Sequence, residues 1–347
     1  TETAVGHATL ATGADPSRHG LIANDWIDQK TGKFVYNTED DRHHIIGSKP
    51  KPHEGVSPRN LLATTIGDEL VVHNGGQSRV FSVTVKDRGA ILPGGHAGKA
   101  FWFSKRSGKF VTSTYYYNDY PEWVKRWNAA KPADRYKGKT WDLLYDRSAY
   151  VARNIDDRPY ESAFAELGRT FPHALGDGSA KYFYLILTLT PIGDELTLDF
   201  VKTLIENEKI GRGNTTDYLT ISFSSTDYVG HLFGPSSLET EDNILRLDRV
   251  LAELFQYIDK KIGLDKTLIA LSGDHGAPEA PEYMAEHGME TGRFPLKYDT
   301  YVPIFFAGNG VSAQAISRLV GPHDIAATIA AYLEIKPPSG SVGVPLV

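Results

Sequence analysis

The 347-residue chain contains no cysteine, and this absence excludes disulfide bonds, thiolate metal sites and a cysteine nucleophile together. It also lacks any apolar run close to the ~20 residues that span a bilayer, so we expect no stable membrane insertion. An excess of basic residues is absent as well, because the formal net charge is -6 at pH 7. Nucleic-acid binders usually present a basic face, so we expect no nucleic-acid partner. An anionic small molecule is still allowed, because metal ions or a few local cations can reverse the charge of a site.

The residues that are present indicate an ordinary globular composition, with 41% hydrophobic and 23% charged residues. Residues Thr3–Thr12 predict a short helix that ends near Gly13. Residues 80–92 alternate apolar with polar side chains, which is typical of a strand. The aromatic-rich stretch Phe101–Trp127 has no clean period and indicates an inserted lobe that is rich in loops.

The last third of the chain alternates strands with helices. Buried strands are predicted at residues 218–225, 267–276 and 302–310, and helices at residues 243–262 and 323–335. The apolar face of the first helix would consist of Ile244, Leu247, Leu251, Leu254 and Ile258, and Asp324 is placed to cap the second. This alternation implies right-handed crossovers, and therefore an α/β fold with a mostly parallel sheet sandwiched by helices. Ligand sites in such sheets lie beyond the carboxyl ends of the strands.

Two of these strand ends carry residues that commonly bind metal ions. After the first strand, Asp227 and His231 are four residues apart, so a helical turn would put both on one face. After the second strand come Asp274 and His275. Carboxylate oxygen and imidazole nitrogen suit Zn²⁺. Either pair alone could equally be loop polar groups or helix caps, but two pairs beyond the strands of one sheet favour a metal site.

Two cations lie near the end of the strand predicted at residues 80–92. At a period of two, Lys86 and Arg88 share one face of a strand, so their charges would converge on one spot. Taken alone, the triplet Lys86-Asp87-Arg88 is better explained as a solvated, charged end of a strand. Asn24, in the sequence IANDW, could simply be a turn residue.

Taken together, five motifs resemble the alkaline phosphatase superfamily, and within it the PafA-type monomeric phosphatases with a Thr nucleophile. The motifs are T-E-T-x-x-G-H-x-T-x-x-T-G from residue 1, G-L-I-A-N from residue 20, V-K-D-R-x-A-I-L-P-x-G-H from residue 85, S-F-S-S-T-D-Y-x-G-H-x-F-G-P from residue 222, and D-H-G from residue 274. The third and fourth motifs are specific, whereas D-H-G alone would be weak, and the resemblance covers nearly the whole chain. Type I phosphodiesterases and nucleotide pyrophosphatases are related to this family but resemble the chain poorly at K-D-R.

The resemblance implies a role for four residues at the phosphate. Thr3 would be the nucleophile that forms a phosphothreonine intermediate, and Asn24 would donate to a non-bridging oxygen. Lys86 and Arg88 would pair with the remaining phosphate charge. Because a monoester carries about one more negative charge than a diester, two such cations favour monoesters.

The resemblance also implies two Zn²⁺ ions. Asp227 and His231 would hold the ion at the leaving alcohol, and Asp274 and His275 would hold the ion that also binds Thr3. The family has a further Asp ligand on a strand before the nucleophile and a further His ligand before the motif that contains Tyr301. Neither is found here, so we expect that the sequence omits residues at its start and between Arg293 and Lys297. His287 matches a helix that precedes this second gap, and His7, His96 and His323 are expected at loops or helix ends.

The function expected from these observations is the hydrolysis of phosphate monoesters. A phosphodiesterase or nucleotide pyrophosphatase of the same fold is one alternative, and an inactive homologue that binds phosphoesters is another. We expect a monomer that acts on small-molecule phosphate esters in the periplasm or outside the cell, with a signal peptide that this sequence does not include. Residues 1–105 and 216–347 would form the alkaline phosphatase-like core, and residues 106–215 a crown lobe inserted over the active site.

Overall fold

A computed structural model describes residues 2–289 and 301–346. Its strands are β1 Asp25–Ile27, β2 Phe34–Tyr36, β3 Val80–Thr84, β4 Lys99–Ser104, β5 Lys109–Val111, β6 Thr140–Trp141, β7 His173–Ala174, β8 Tyr218–Ser222, β9 Leu268–Ser272 and β10 Ile304–Gly308. Its α-helices are α1 Thr3–Thr12, α2 Pro16–His19, α3 Ile66–His73, α4 Asp87–Gly94, α5 Glu122–Ala130, α6 Phe183–Thr188, α7 Ile192–Glu208, α8 Ser225–Phe233, α9 Leu238–Lys261, α10 Pro281–Glu286 and α11 His323–Tyr332. Short 3₁₀ helices span Pro132–Tyr136, Arg147–Ala149, Ala165–Leu167 and Leu264–Lys266.

The main sheet has four strands in the order β5-β4-β3-β8. Strands β4, β3 and β8 run in parallel, and β5 adds an antiparallel edge. Every side chain of β3 is buried, as expected for a parallel strand with helices on both faces. Because the three parallel strands end at the same edge, the residues that follow them are brought together there.

Strand β3 is shorter than predicted, and this corrects the prediction for residues 80–92. The strand ends at Thr84, and residues Asp87–Gly94 form α4. The alternation of apolar and small polar side chains did not correspond to one buried and one solvent-exposed face, because Ser82 and Thr84 are as buried as Val83. Lys86 and Arg88 are therefore not neighbours on one face of a strand: Lys86 precedes α4 and Arg88 lies in its first turn.

The pairing of the last two strands also differs from the prediction. Strands β9 and β10 pair in antiparallel orientation, as a separate two-stranded sheet. The chain therefore enters β10 at the end where it leaves β9, so no crossover makes these strands parallel. They are half-exposed rather than buried, and Phe305 is 59% exposed. Within the described residues, each of the two strands has one hydrogen-bonded neighbour.

The aromatic-rich stretch packs into the largest hydrophobic core. Phe200 of α7 lies at its centre, and its ring stacks on Phe110 at 4.1 Å between centroids. Phe101, Trp123 and Trp127 surround the same ring at 5.1–5.4 Å. These rings therefore stabilise the contact between the sheet, α5 and α7. The assignment of residues 106–215 to an inserted lobe stays a prediction.

The helices predicted near the two ends of the sequence are both present, at Thr3–Thr12 and His323–Tyr332. Helix α1 spans Thr3–Thr12 and ends at Gly13, whose φ of 64° lets its N–H donate to the Thr9 carbonyl. Asp324 lies one residue after the start of α11 and accepts from the backbone of Gly321 and Val344. Its carboxylate thus ties the chain before the helix to the C-terminal segment instead of capping the helix.

Helix α9 covers the predicted residues but begins earlier, because Ser237 caps it by accepting from the Thr240 N–H. Leu254 of the predicted apolar face is buried, whereas Ile244 is 50% exposed. Several buried side chains near the start of α9 are polar, and Asp242 accepts hydrogen bonds from the buried Trp141 and Tyr150 side chains. None of the helices in the described part of the chain is long and apolar enough to cross a membrane.

Candidate active site

The predicted site residues meet where α1 faces the carboxyl ends of β3, β8 and β9. Thr3 is the first residue of α1, and Lys86 lies two residues beyond β3. Asp227 lies in the first turn of α8, which follows β8. Asp274 and His275 lie in the loop after β9. Four separate segments therefore deliver these side chains to one place.

The imidazole of His275 is at the centre of this cluster. Its Nε2 lies 3.5 Å from Thr3 Oγ1, 3.6 Å from Asp227 Oδ1 and 3.5 Å from Asp274 Oδ2. Its Nδ1 lies 2.8 Å from the Gly276 carbonyl oxygen. A carbonyl can only accept, so Nδ1 carries a proton and the Nε2 lone pair is available to a metal ion. Two donor atoms on one tetrahedral zinc lie about 3.3 Å apart, and the observed spacings are close to this value.

Asp227 and His231 lie on one face of α8, as their spacing predicts. Asp227 Oδ1 is 3.4 Å from His231 Nε2, and Oδ2 contacts the Lys86 ammonium. Burial alone would raise the pKa of Asp227, but its hydrogen bond to His231 and the charge of Lys86 hold this pKa well below its usual value. The same hydrogen bond raises the pKa of His231. The carboxylate is therefore ionised and directs one oxygen toward two imidazoles.

The start of α1 is fixed by Asn24. The Ala4 N–H donates to Asn24 Oδ1 at 3.0 Å, and the Asn24 N–H donates to Glu2 Oε2 at 3.1 Å. Because Asn24 Oδ1 accepts this hydrogen bond, the donor group of the side-chain amide is its nitrogen, Nδ2. Thr3 is buried, with 4% of its surface exposed. Because Thr3 is the first residue of α1, its hydroxyl lies at a helix N-terminus, where anions are favoured.

The two predicted phosphate cations lie at the start of α4 rather than on one face of a strand. The charges of Lys86 and Arg88 both lower the pKa of His7, after the larger effect of burial, and both act on Tyr228. Lys86 is 3% exposed. The Arg88 Nε is buried without a hydrogen-bond partner among the described residues. A buried N–H group without a hydrogen bond costs free energy unless a ligand or a water molecule accepts from it.

Sequence reasoning missed the contribution of His7 and Gly6. His7 was expected to orient a loop or cap a helix, but it is buried inside α1 with its Nε2 3.7 Å from Asp274 Oδ2. Its spacing of four residues from Thr3 is the signal that could have placed it on the same helix face. A Cβ at Gly6 would collide with the Asp274 backbone, so glycine is required for the close approach of α1 to this loop.

Other candidate ligands lie elsewhere. His287 follows α10 and stacks on Tyr283 at 4.0 Å, and His323 is the first residue of α11. His96 and Tyr301 are exposed, and the gap expected between residues 293 and 297 lies outside the described residues. Another group, in residues 2–289 and 301–346, has three donor atoms all within 4.8 Å of one another and consists of Glu39, Asp41 and His53. This second group is largely exposed. The metal ligands predicted from the sequence differ from it, because their donor atoms approach one another in pairs, such as Asp227 with His231 and Asp274 with His275.

Comparison with known proteins assigns the chain to a family. The model of the type I phosphodiesterase / nucleotide pyrophosphatase family matches residues 1–323, so the chain belongs to this family. Among curated relatives, alkaline phosphatase PhoV of Synechococcus elongatus is 42% identical over 303 residues, which is 86% of this chain and 54% of PhoV. A Myroides odoratus protein named calcium-transporting ATPase is 42% identical over 301 residues, 86% of this chain and 55% of that protein. The chain thus spans about half the length of the curated relatives it matches.

Among solved structures, wild-type alkaline phosphatase PafA matches with a TM-score of 0.90 and 29% identity. The match covers 99% of this chain and 89% of the PafA chain. The predicted resemblance and the predicted α/β fold of alkaline phosphatase type are therefore confirmed. The central sheet is mixed, with three parallel strands and an antiparallel edge.

Proposed function

We propose that this protein hydrolyses phosphate monoesters through a covalent intermediate on Thr3. The observation that carries the proposal is the buried Thr3 hydroxyl, 3.5 Å from an imidazole whose free nitrogen also faces two carboxylates. The alkaline phosphatase names of the relatives support the same reaction class. Hydrolases with such a nucleophile divide one difficult displacement into two easier ones.

In the first step, Thr3 Oγ loses its proton and forms a bond to phosphorus while the ester P–O bond breaks. The leaving oxygen keeps the electron pair of that bond and takes up a proton to become the alcohol. In the second step, water attacks the phosphothreonine, releases phosphate and restores the Thr3 hydroxyl. Asn24 would donate from its amide nitrogen to a non-bridging oxygen. Lys86 and Arg88 would offset the remaining negative charge.

We further propose that two Zn²⁺ ions are the resident metals. The donor set fits, because Asp227 Oδ1 lies at zinc-ligand spacing from His231 Nε2, and Asp274 Oδ2 lies at similar spacing from His275 Nε2. Asp227 and His231 would hold one ion, and Asp274, His275 and Thr3 the other. When bound, zinc would supply concentrated positive charge that stabilises developing oxyanions.

The experiment that tests the proposal uses Thr3→Ala and Thr3→Ser with p-nitrophenyl phosphate. We expect Thr3→Ala to remove nearly all turnover, because no other hydroxyl contacts His275 Nε2 among the described residues. Thr3→Ser retains a hydroxyl and should keep part of the rate. Wild-type turnover in Thr3→Ala would overturn the mechanism, and about two zinc ions per chain with no turnover in the wild type would favour the inactive homologue.

A phosphodiesterase or nucleotide pyrophosphatase is the second candidate, because the matching family carries that description. Two cations near the phosphate favour the doubly charged monoester. We therefore expect kcat/KM for p-nitrophenyl phosphate to exceed that for bis-p-nitrophenyl phosphate. A preference for the diester would replace the first proposal with the second.

We also propose a monomer that works in the periplasm or outside the cell on small phosphate esters, with residues 106–215 as a lobe over the site. The resemblance to PafA-type phosphatases supports these points. Size-exclusion chromatography with light scattering tests the monomer, and cell fractionation tests the location.

A further inference from the structure

A tyrosine hydroxyl lies beside the predicted phosphate cations at the start of α4. Tyr36 is the last residue of β2, and its hydroxyl donates to Asp87 Oδ1 at 2.7 Å. Asp87 is the first residue of α4 and lies between Lys86 and Arg88 in the chain. The same Oδ1 accepts from the Arg88 backbone N–H at 2.8 Å. The hairpin of β1 and β2 thus reaches the K-D-R motif through a side-chain hydrogen bond.

The position of Tyr36 is fixed by the same hairpin that follows Asn24. Asp25, the residue after Asn24, pairs with Tyr36 across β1 and β2. Asn37, the residue after Tyr36, is fully buried and donates to the Asn24 carbonyl, from its backbone N–H at 3.1 Å and from its Nδ2 at 2.6 Å. The Asn60 Nδ2 in turn donates to the Asn37 carbonyl at 3.1 Å. These hydrogen bonds fix the backbone that carries the Tyr36 side chain.

The charged neighbours Asp87 and Arg88 do not pair with each other. Among the ion pairs of residues 2–289 and 301–346, none joins the Asp87 carboxylate to the Arg88 guanidinium. The Arg88 Nε is buried and has no hydrogen-bond partner in this part of the chain. A carboxylate and a guanidinium form strong, charge-assisted hydrogen bonds when they meet. A contact that keeps these two groups apart would therefore leave the guanidinium available to another anion.

The Tyr36 hydroxyl is in the position to make such a contact. Burial raises the pKa of Tyr36, the charge of Asp87 raises it further, and the charge of Arg88 lowers it, so both charges act on this hydroxyl. The hydroxyl stays protonated at neutral pH and is the donor in its contact with Asp87. Turning the carboxylate toward the guanidinium would break this hydrogen bond and the one from the Arg88 N–H.

We propose that Tyr36 is a positioning residue, whose hydroxyl holds the Asp87 carboxylate away from Arg88 and so keeps the guanidinium free for the substrate phosphate. The inference rests on the proposed function, which places Arg88 at the phosphate. Without the hydroxyl, Asp87 loses one of its two donors and competes with the phosphate for the same guanidinium. The cation that binds the substrate charge would then be partly neutralised by its own neighbour in the chain.

The test is a double-mutant cycle with p-nitrophenyl phosphate as the substrate. Tyr36→Phe keeps the ring and removes the hydroxyl, whereas Asp87→Asn keeps an acceptor for the Arg88 N–H and removes the competing charge. We expect Tyr36→Phe to lower kcat/KM about tenfold in the wild-type background, and by less than about twofold in the Asp87→Asn background. Because a diester carries less negative charge, the loss in Tyr36→Phe should be smaller for bis-p-nitrophenyl phosphate.

Tyr184→Phe is the matched control, because the Tyr184 hydroxyl of α6 donates to Asp134 Oδ1 at the same distance of 2.7 Å. Both tyrosines are half-buried, and the control should keep kcat/KM for both substrates within about twofold of wild type. If the geometry of α4 alone kept Asp87 from Arg88, Tyr36→Phe would have no effect. A purely structural role would give equal losses in both backgrounds and for both substrates. Either result would overturn the inference.

Calorimetry with inorganic phosphate separates the failure of this inference from that of the proposed function, because it gives a dissociation constant without turnover. If the wild type binds phosphate but does not hydrolyse p-nitrophenyl phosphate, the proposed function fails. Tyr36→Phe should still weaken phosphate binding about tenfold, and adding Asp87→Asn should restore most of the affinity. Unchanged phosphate affinity in Tyr36→Phe would overturn the inference and leave the proposed function intact.

Discussion

The substitution Gly6→Ala should reduce kcat/KM for p-nitrophenyl phosphate by about a hundredfold. Gly6 lies in α1, three residues after Thr3, where the helix crosses the backbone of the loop after β9. A Cβ at this position would lie 2.8 Å from the Asp274 carbonyl carbon and 3.1 Å from the Asp274 Cβ. Carbon atoms in contact lie about 3.5–4.0 Å apart, so the helix and the loop must separate by about 1 Å.

This separation acts directly on the proposed reacting groups. Thr3 belongs to the helix and His275 to the loop, so their 3.5 Å spacing would lengthen by a comparable amount. A misplacement of about 1 Å can cost about a hundredfold in rate. Overpacking of this kind also costs about 1–3 kcal/mol of stability, which leaves a typical domain folded at 25 °C.

The assay is steady-state hydrolysis of p-nitrophenyl phosphate, with urea unfolding of the same samples. Gly230→Ala is the matched control, because Gly230 lies in α8 between Asp227 and His231 and an added Cβ there meets no atom within 4 Å. That variant should gain about 0.5–1 kcal/mol of helix stability and keep its rate within about twofold. A folded Gly6→Ala protein with the wild-type rate would refute the reasoning.

Two further substitutions test charge and burial. Lys86→Ala and Arg88→Ala should each lower kcat/KM for p-nitrophenyl phosphate by about 10–100-fold and for bis-p-nitrophenyl phosphate by less, because a diester presents less negative charge; equal losses in steady-state assays would contradict the role of these cations. His19 is fully buried and burial lowers its pKa to about 4, so its contribution to the free energy of unfolding is complete above pH 6.5 and falls by up to about 3 kcal/mol as the pH drops through 4. Urea unfolding across this range should show a shallower pH dependence in His19→Gln, and parallel curves would exclude His19 as the cause.

The features that the sequence predicted well are local ones. Helix α1 follows from a run of mostly small and apolar residues that precedes Gly13, and Gly13 takes the left-handed conformation that glycine favours. The approach of Asp227 to His231 follows from a spacing of four residues in a helix. The confirmed family and fold come from long motifs. The roles of the site residues stay predictions, although the structure brings most of them together.

The wrong predictions concern the burial, length and pairing of strands rather than the tendency of a segment to be extended. Period-two alternation predicted a strand that continued to Leu92, but β3 ends at Thr84 and α4 begins two residues after Val85. The alternation did not indicate one exposed face, because the serine and threonine side chains of β3 are small enough to be buried like their apolar neighbours. Likewise, short apolar runs predicted buried parallel strands, whereas β9 and β10 pair in antiparallel orientation and stay half-exposed. A single sequence shows that a segment is extended, but the neighbours of that segment decide its burial and direction.

The contact between Lys105 and Tyr228, whose ring also lies against Lys86, shows that this limit extends to the candidate active site. Lys105 and Tyr228 are 123 residues apart in the chain, and only Tyr228 lies within one of the motifs that carry the resemblance. They meet because β4 lies beside β3 and β3 lies beside β8, so residues that follow three neighbouring parallel strands share one edge. The K-D-R motif contains Lys86, whereas the order of the strands brings Lys105 to the same Tyr228 ring that Lys86 contacts. The charge around the candidate site therefore depends on strand order, which the motifs that identify the family do not encode.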